Sequence, residues 1–364
     1  MTATLLLTGD LILDEPDPDR FFDLARPVLT AADLVVGHLE VPFTLRDNPN
    51  PGRDPAKLGA LARAGIKVVT LAANHLYDQG PAGVEDTLGG LRSAGIAAAG
   101  AGMNLDEARC PAVVEAGGCR VGVLSFNCVG PQESWAGESK PGCAYLEVVT
   151  HYELDHATPG APPSRILTFA VAEAMTAMTQ TIARAREAVD VLVVALHKGL
   201  IHTPVRLATY ERPVAQAAID AGADLIVSHH AHICRGVEVY KDRPIFHGLG
   251  NFVTVTRVLN LGDNPNPAML EWARRRREMF GFEPDPAMPT YPFHPESRNA
   301  MLAACTFDRS GLRTAGFVPC WIESDGSPRP LARNDGYVER ITAAAGLEAD
   351  FEWEGDRVVF WRAA

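Results

Sequence analysis

The stretch Ala223–Val253, ADLIVSHHAHICRGVEVYKDRPIFHGLGNFV, opens on an apolar run, Leu225-Ile226-Val227, followed at once by Ser228, His229, His230, Ala231 and His232. A short uninterrupted apolar run fits a strand covered on both faces. Three imidazoles therefore stand where that strand leaves the core, and in open α/β sheets ligands bind just beyond the carboxyl ends of strands. Neutral imidazole is the commonest metal-ligating side chain, and His230 and His232, separated by one residue on a turn, can face one cleft. A lone histidine here would read as a structural residue. Three within four positions raise the question of whether other strand ends supply oxygen ligands.

Toward the N-terminus the same pattern recurs. Thr4–Thr8 reads as a strand ending at Gly9 and Asp10, where Asp10 is a carboxylate ligand or a turn cap. Phe21, Phe22, Leu24, Ala25, Val28 and Leu29 carry helical spacing and lead to a second strand over 33–39 that closes on Glu40. This is a strand–helix–strand unit with an acid at each strand end. A loop over Asp47–Pro55 and a helix over Ala56–Ala64, stopped by Gly65, precede the strand Ile66–Ala72. That strand delivers Asn74, an amide oxygen ligand, His75, a general acid, and Asp78, a carboxylate able to orient His75; plain helix capping is the alternative. Further along, Asp190–Leu196 delivers His197, then Lys198 and Gly199, and a helix over Tyr210–Ala221 returns to the opening stretch. Asp10, Glu40, Asn74, His197, His230 and His232 together are mixed oxygen and nitrogen ligands at one sheet edge. They suffice for two cations bridged by a carboxylate, a site type used for hydrolysis.

The remaining chain reads as follows. A short strand is expected over Ile96–Ala101, a hairpin of Ala112–Ala116 and Arg120–Phe126 around Gly117-Gly118, and a helix over Ala170–Ala188. Val129–Pro163, dense in Pro, Gly, Ser and acids and with an exposed Trp135, reads as a long loop reaching over the site. Within Thr256–Pro295 an arginine run, Arg274–Arg277, fits a solvated helix face or an anion grip, and the proline and aromatic stretch around Phe280, Phe282, Tyr291 and Phe293 reads as a cap. A closing hairpin (298–307 and 312–318), a helix over 336–345 and a strand pair around Gly355 complete the chain.

At 364 residues the chain exceeds one simple core, so one large α/β domain with insertions, or a domain plus a small appendage, is expected. A net charge of -12 argues against nucleic acid or an anionic membrane as partner. The seven cysteines form no CxxC pair and are odd in number, which fits reduced thiols in the cytoplasm. The N-terminus lacks a basic region and its apolar run breaks at Gly9, so neither a signal peptide nor a transmembrane span is expected.

The motifs GD (Gly9-Asp10), LE (Leu39-Glu40), ANHxxDxG (Ala73–Gly80), HxG (His197–Gly199), HHxH (His229–His232) and LGNF (Leu249–Phe252) resemble those of the CapA family, bacterial proteins of capsule or poly-γ-glutamate synthesis. The resemblance spans about Leu5 to Val253 and implies a four-layer α/β metallophosphoesterase-like sandwich, two mixed sheets flanked by helices, with loop insertions. It implies a core over 1–255, an insertion or cap over 256–300, and C-terminal elements over 301–364 that complete the same domain. Carried over by residue, Asp10 and His232 would bind a first cation, Glu40 would bridge, Asn74, His197 and His230 would hold a second, and His75, held by Asp78, would protonate the leaving group. Where the fold's usual D-x-H would place a ligand, this chain has Ile12, so one or two divalent ions (Mn, Zn, Fe or Co) are expected. His38 stands where the family usually has Asn and adds a ligand or a hydrogen bond. Lys198 replaces an aromatic, and a cation there suits a substrate carboxylate or phosphate; His202, Arg206 and Arg235 are read as part of the same positive pocket. The function implied is hydrolysis of a small anionic phosphoester by a metal-bound hydroxide. The alternatives are a γ-glutamyl or amide bond hydrolase or transferase and a non-catalytic polymer-synthesis component; homo-oligomeric assembly stays open.

Overall fold

The computed structural model describes residues 2–46, 53–154, 156–158, 162, 165–257, 261, 265–333 and 335–363. Most of the expected loop at 47–55, the end of the segment expected to reach Pro163, and 258–260 with 262–264 in the cap lie outside these. Among the described residues the larger sheet has ten strands. Its path runs Glu352–Glu354, Arg357–Arg362, Gly311–Ile322, Asn299–Asp308, Ala3–Leu13, Leu34–Leu39, Val68–Thr70 and Ala97–Ala99, with Asn251–Val255 also pairing on Ala3–Leu13 and Pro328–Pro330 on Gly311–Ile322. The smaller sheet runs Val237–Val239, Pro244–Phe246, Leu225–His229, Val191–His197, Cys119–Asn127 and Ala112–Ala116. Both are mixed: the four strands from Ala3–Leu13 to Ala97–Ala99 are parallel, and Asn299–Asp308 joins Ala3–Leu13 antiparallel, Leu5 opposite Cys305.

Strand alternation explains how the layers assemble. Leu5, Leu7, Val36 and Val68 face inward and meet Val121, Val123, Val193 and Val227 of the other sheet. Their sequence neighbours Leu6, Val35 and Val69 face outward and pack with Leu29, Leu61, Val84 and Leu91 of the helices Arg26–Thr30, Gly59–Arg63 and Gly80–Ser93. On the opposite flank Leu192, Val194 and Ile226 pack with Met178 and Ile182 of Ala172–Arg186 and with Val214 and Ala218 of Glu211–Asp220. Each such buried Leu or Val stabilises by roughly 1.5–3 kcal/mol, so the period-2 pattern commits both faces of each sheet. The result is a four-layer sandwich of helices, sheet, sheet and helices.

Two sequence expectations change. The first strand does not stop at Thr8 but continues to Leu13 through a register shift between Leu7 and Asp10. Gly9 permits this, because a Cβ there would stand 2.0 Å from the Gly250 carbonyl oxygen, and Asp10 N donates to that same oxygen at 3.0 Å. The second change lies in the segment after Val129, which is not one long loop. It holds a turn at Gln132–Ser134, a short pairing of Gly142–Cys143 with Ala101–Gly102, and a two-stranded ribbon of Val148–Glu153 with Arg165–Ala170. Prolines and glycines dilute the alternation in strands this short, which hides them. Trp135 is half-buried and stacks on Tyr145 at 4.2 Å between ring centroids. Among the described residues no helix is long and apolar enough to cross a membrane.

Candidate metal centre

Parallel strands bring their carboxyl ends to one side, and register sets the rows. In the larger sheet Asp10 lies opposite both His38 and Asn251, and His38 opposite Thr70. In the smaller sheet His197 lies opposite Asn127 and His229. Where the two rows meet, three overlapping groups have ligand atoms within 4.8 Å of one another: Asp10, Glu40 and His232; Glu40, His197 and His230; and Asp10, His38 and His197. Asn74 Oδ1 lies 2.8 Å from His197 Nε2, so the same cluster takes in Asn74. His230 and His232 hold backbone φ of 85° and 52°, a left-handed conformation uncommon for side-chain-bearing residues. That twist turns both rings from the strand end back toward Asp10 and Glu40, and such strain persists only where the surroundings enforce it.

The electrostatics of the cluster are those of a cation site. Asp10 and Glu40 are both 0% exposed. Neither Glu40 oxygen has a hydrogen-bond partner, and Asp10 Oδ2 and His230 Nδ1 are likewise buried without one. Buried charge without a partner is expensive, which makes these atoms conspicuous. The nearest nitrogens to Glu40 Oε1 are His232 Nε2 at 3.4 Å and His197 Nε2 at 3.9 Å. Burial, with repulsion among neighbouring imidazoles, pushes His38 and His197 well below the ordinary histidine value and His230 down to about 4. These rings are therefore neutral and able to donate lone pairs. For His232 burial pulls downward, but Glu40 and Asp10 override it and raise the value well above the ordinary one. Burial pulls Asp10 the other way, upward, yet His232 brings it to about 2. A proton on His232 thus offsets part of the carboxylate charge that a divalent cation would neutralise. The donor set, two carboxylates, an amide oxygen and imidazoles, fits a divalent transition ion.

Hydrogen bonds beyond the ligands fix which nitrogen points inward, the role such outer partners usually play. His38 Nε2 lies 2.9 Å from His197 Nδ1, and His38 Nδ1 lies 2.9 Å from Thr70 Oγ1. With a cation on His197 Nε2, which otherwise donates to Asn74 Oδ1 at 2.8 Å, His197 Nδ1–H would donate to His38 and His38 Nδ1–H to Thr70. His38 is thereby an orienting residue beneath the site, out of reach of substrate. On the other side His232 Nδ1 lies 2.9 Å from Asn251 Oδ1, Asn251 Nδ2 donates to the Tyr291 hydroxyl at 2.9 Å, and that hydroxyl donates to Ser297 O at 2.7 Å. This chain leaves His232 Nε2 facing Glu40. Sequence reasoning assigned no role to Asn251, Thr70 or Tyr291; only the LGNF motif hinted at Asn251. His229 is a further unassigned member: it stacks on His38 at 4.1 Å and its Nε2 lies 3.1 Å from Thr8 O.

At the rim, His75 Nδ1 lies 2.9 Å from Asp78 Oδ2, and their side chains are 45% and 38% exposed. Burial lowers the His75 value, but the Asp78 hydrogen bond and the Glu40 charge outweigh it and leave it raised. His202 lies beside the centre, 6.0 Å from His232 between ring centroids, with Phe280 and Phe282 edge-on to it at 5.2 and 5.0 Å. Burial holds it neutral, at about 2.

Three sequence expectations are corrected here. Lys198 does not line the cleft: it is 0% exposed, its amine 2.9 Å from Glu211 Oε2 and 3.3 Å from His247 Nδ1. Arg235 is equally buried, 3.7 Å from Glu211 Oε1, and donates to the carbonyls of Arg206 and Leu200. Arg206 contributes that carbonyl, while its side chain is exposed. The cause is Glu211 in the first turn of its helix, fully buried, which captures both cations internally.

A family model described as bacterial capsule synthesis protein PGA_cap matches residues 4–256. The chain belongs to that family. It is similar to the capsule biosynthesis protein CapA of Bacillus anthracis, 27% identical over 271 residues, covering 69% of this chain and 59% of that protein. It is also similar to the PGA biosynthesis protein CapA of Bacillus subtilis, 28% identical over 250 residues, covering 66% and 58%. The matched region thus spans under two thirds of these family members. Among solved structures, the calcineurin-like phosphoesterase YfkN of Bacillus subtilis aligns with a TM-score of 0.39 and 14% identity, covering 95% of this chain and 96% of that one.

Proposed function

We propose that the chain is a metal-dependent hydrolase of a small anionic substrate, with a phosphate ester as the substrate class the site suits best. The observation that carries this is Glu40: a fully buried carboxylate with no hydrogen-bond partner on either oxygen, ringed by the imidazoles of His197, His230 and His232 and a second carboxylate. Asp10, Glu40 and His232 would hold one divalent ion, and Glu40, Asn74, His197 and His230 a second. A bound divalent ion supplies Lewis acidity toward a phosphoryl oxygen and lowers the pKa of a water. The chain's own residues do the rest. Asp78 accepts only, so His75 Nδ1–H donates to it, and the raised His75 value favours the imidazolium, whose Nε2–H would face the leaving group and deliver the proton. The Thr70–His38–His197 and Ser297–Tyr291–Asn251–His232 chains hold the ligating nitrogens in one tautomer, and the aromatic rings around His202 limit water on that side.

The names of the relatives, which speak of capsule and PGA biosynthesis, favour a second reading, a γ-glutamyl amide as the scissile group. One experiment addresses both. Wild type and His230→Ala are purified without chelator, supplied with Mn or Zn, analysed for metal, and assayed with p-nitrophenyl phosphate and γ-glutamyl p-nitroanilide. The expected result is about one to two ions per wild-type chain, loss of metal in the variant, and turnover of the phosphoester. Turnover of the anilide alone selects the second reading, and a wild type that retains no metal refutes the hydrolase.

A further inference from the structure

Four consecutive arginines, Arg274–Arg277, lie on the helix Pro267–Phe280. Three are neutralised locally. Arg274 pairs with Glu271 at 2.7 Å and with Glu278, Arg275 with Glu271 at 2.8 Å, and Arg277 with Glu283 at 2.7 Å. Arg276 has no acidic partner among the described residues, although it is less exposed than the other three. Its guanidinium lies over the Trp272 ring at 4.9 Å and the Phe280 ring at 5.8 Å. Cation–π contact of this kind fixes the plane of the guanidinium without neutralising it. Burial alone pushes its pKa below the ordinary arginine value, which is the signature of a cation short of counter-charge.

The position of Arg276 relates it to the metal centre. It lines a groove of about 820 Å³ together with Arg257 and Phe282. Phe280 and Phe282 form the edge-on wall of His202, which lies 6.0 Å from His232. Arg257 in the groove is already paired with Glu15 at 2.7 Å. Lys198 and Arg235 are paired internally with Glu211 and supply no charge to the cleft. Among the described residues that line this groove, Arg276 is therefore the arginine left without a carboxylate partner; Asp285 and Glu283, the latter paired with Arg277, line it as well.

We propose that Arg276 is the anchor for a second anionic group of the substrate, a carboxylate or phosphate remote from the bond that is cut, and that the substrate class is accordingly small molecules carrying an oxyanion at each end. This rests on the hydrolase reading for the reacting end only. The planar fork of arginine binds either oxyanion with two parallel hydrogen bonds, and the rings of Trp272 and Phe280 hold that fork ready.

The test separates this inference from the hydrolase reading by measuring binding in metal-free protein. Calorimetric titrations with glutarate and with inorganic phosphate, and with glutaramide as an uncharged control, are run on wild type, Arg276→Ala and Arg276→Lys, each checked for an unchanged melting temperature. The expected result is that wild type binds at least one anion and not glutaramide, that Arg276→Ala weakens binding about tenfold or more, and that Arg276→Lys recovers part of it. Preference for glutarate over phosphate assigns the remote group as a carboxylate, and the reverse assigns a phosphate. If wild type binds neither anion, or Arg276→Ala binds as tightly as wild type, the inference is overturned whatever the metal centre does. In metal-loaded protein Arg276→Ala should raise KM for an ester with a remote carboxylate about tenfold or more.

Discussion

Replacing Glu40 with glutamine tests the metal centre most directly, because the expected effects with and without cation differ in kind. In the cation-free protein the carboxylate lies 3.4 Å from His232 Nε2, and that ring carries a proton. At an effective dielectric of about 20 the attraction is about 5 kcal/mol. Taking each ion out of water costs several kcal/mol, so a buried pair nets close to zero against a well-fitting neutral replacement. Glu40→Gln keeps the shape, and the cation-free variant should lie within about 2 kcal/mol of wild type. Adding Mn or Zn at a hundred times the dissociation constant should stabilise wild type by about 2.7 kcal/mol. For a chain of this size that is a rise of roughly 3–4 °C in Tm. The variant, deprived of the carboxylate shared by two of the three ligand groups, should show no such rise. The assay is a thermal melt with and without metal, paired with chemical denaturation. An equal metal-induced rise in the variant would sink the assignment of Glu40 as a ligand. A cation-free loss above about 4 kcal/mol would show instead that Glu40 is a structural ion-pair partner.

Three other outcomes follow from the same geometry. His38→Ala should weaken metal affinity about 10- to 100-fold without changing stoichiometry, since His38 orients His197 and does not itself need to ligate; loss of an ion from the metal count would make it a ligand. Glu211→Gln should destabilise by about 3–5 kcal/mol in denaturant titrations, because Lys198 and Arg235 are left buried without their shared counter-ion, and a loss below about 1 kcal/mol would contradict that reading. Acid should destabilise through the His247–Glu238 pair. Burial, then Lys198, holds His247 at about 4 against an ordinary 6.5, so the unfolded chain takes up its proton first and stability falls as pH drops from 6.5 to 4. Burial favours the neutral form of Glu238, but His247 and Arg212 lower it to about 2 from 4.5, so its contribution is lost as pH falls from 4.5 toward 2. His247→Gln should flatten the stability profile between pH 4 and 6.5, and an unchanged slope in denaturation measured across that range would refute the assignment.

What the sequence determined by itself is local. Leu225-Ile226-Val227 followed by His229, His230 and His232, and the acids or amide after the other apolar runs, announce strands with polar ends because a buried strand tolerates polar groups only where it leaves the core. That logic placed Asp10, Glu40, Asn74, His197, His230 and His232 at one edge, and the structure gathers them into one cluster. Two local features stayed hidden: the extension of the first strand past Gly9, which depends on the approach of Gly250 from far along the chain, and the ribbon at 148–170, whose strands are short and interrupted. The tertiary structure decided everything that depends on partners. His38 and His197 are 159 residues apart in sequence and meet only when the two sheets face each other, so spacing could not tell a ligand from an orienting residue. Lys198 and Arg235 looked like free cations until the helix Glu211–Asp220 brought Glu211 between them. Arg276 looked like one of four solvated arginines until the glutamates around its neighbours were assigned. Charge is written in the sequence, but whether a charge is spent or available depends on which opposite charge the fold places within a few ångströms of it.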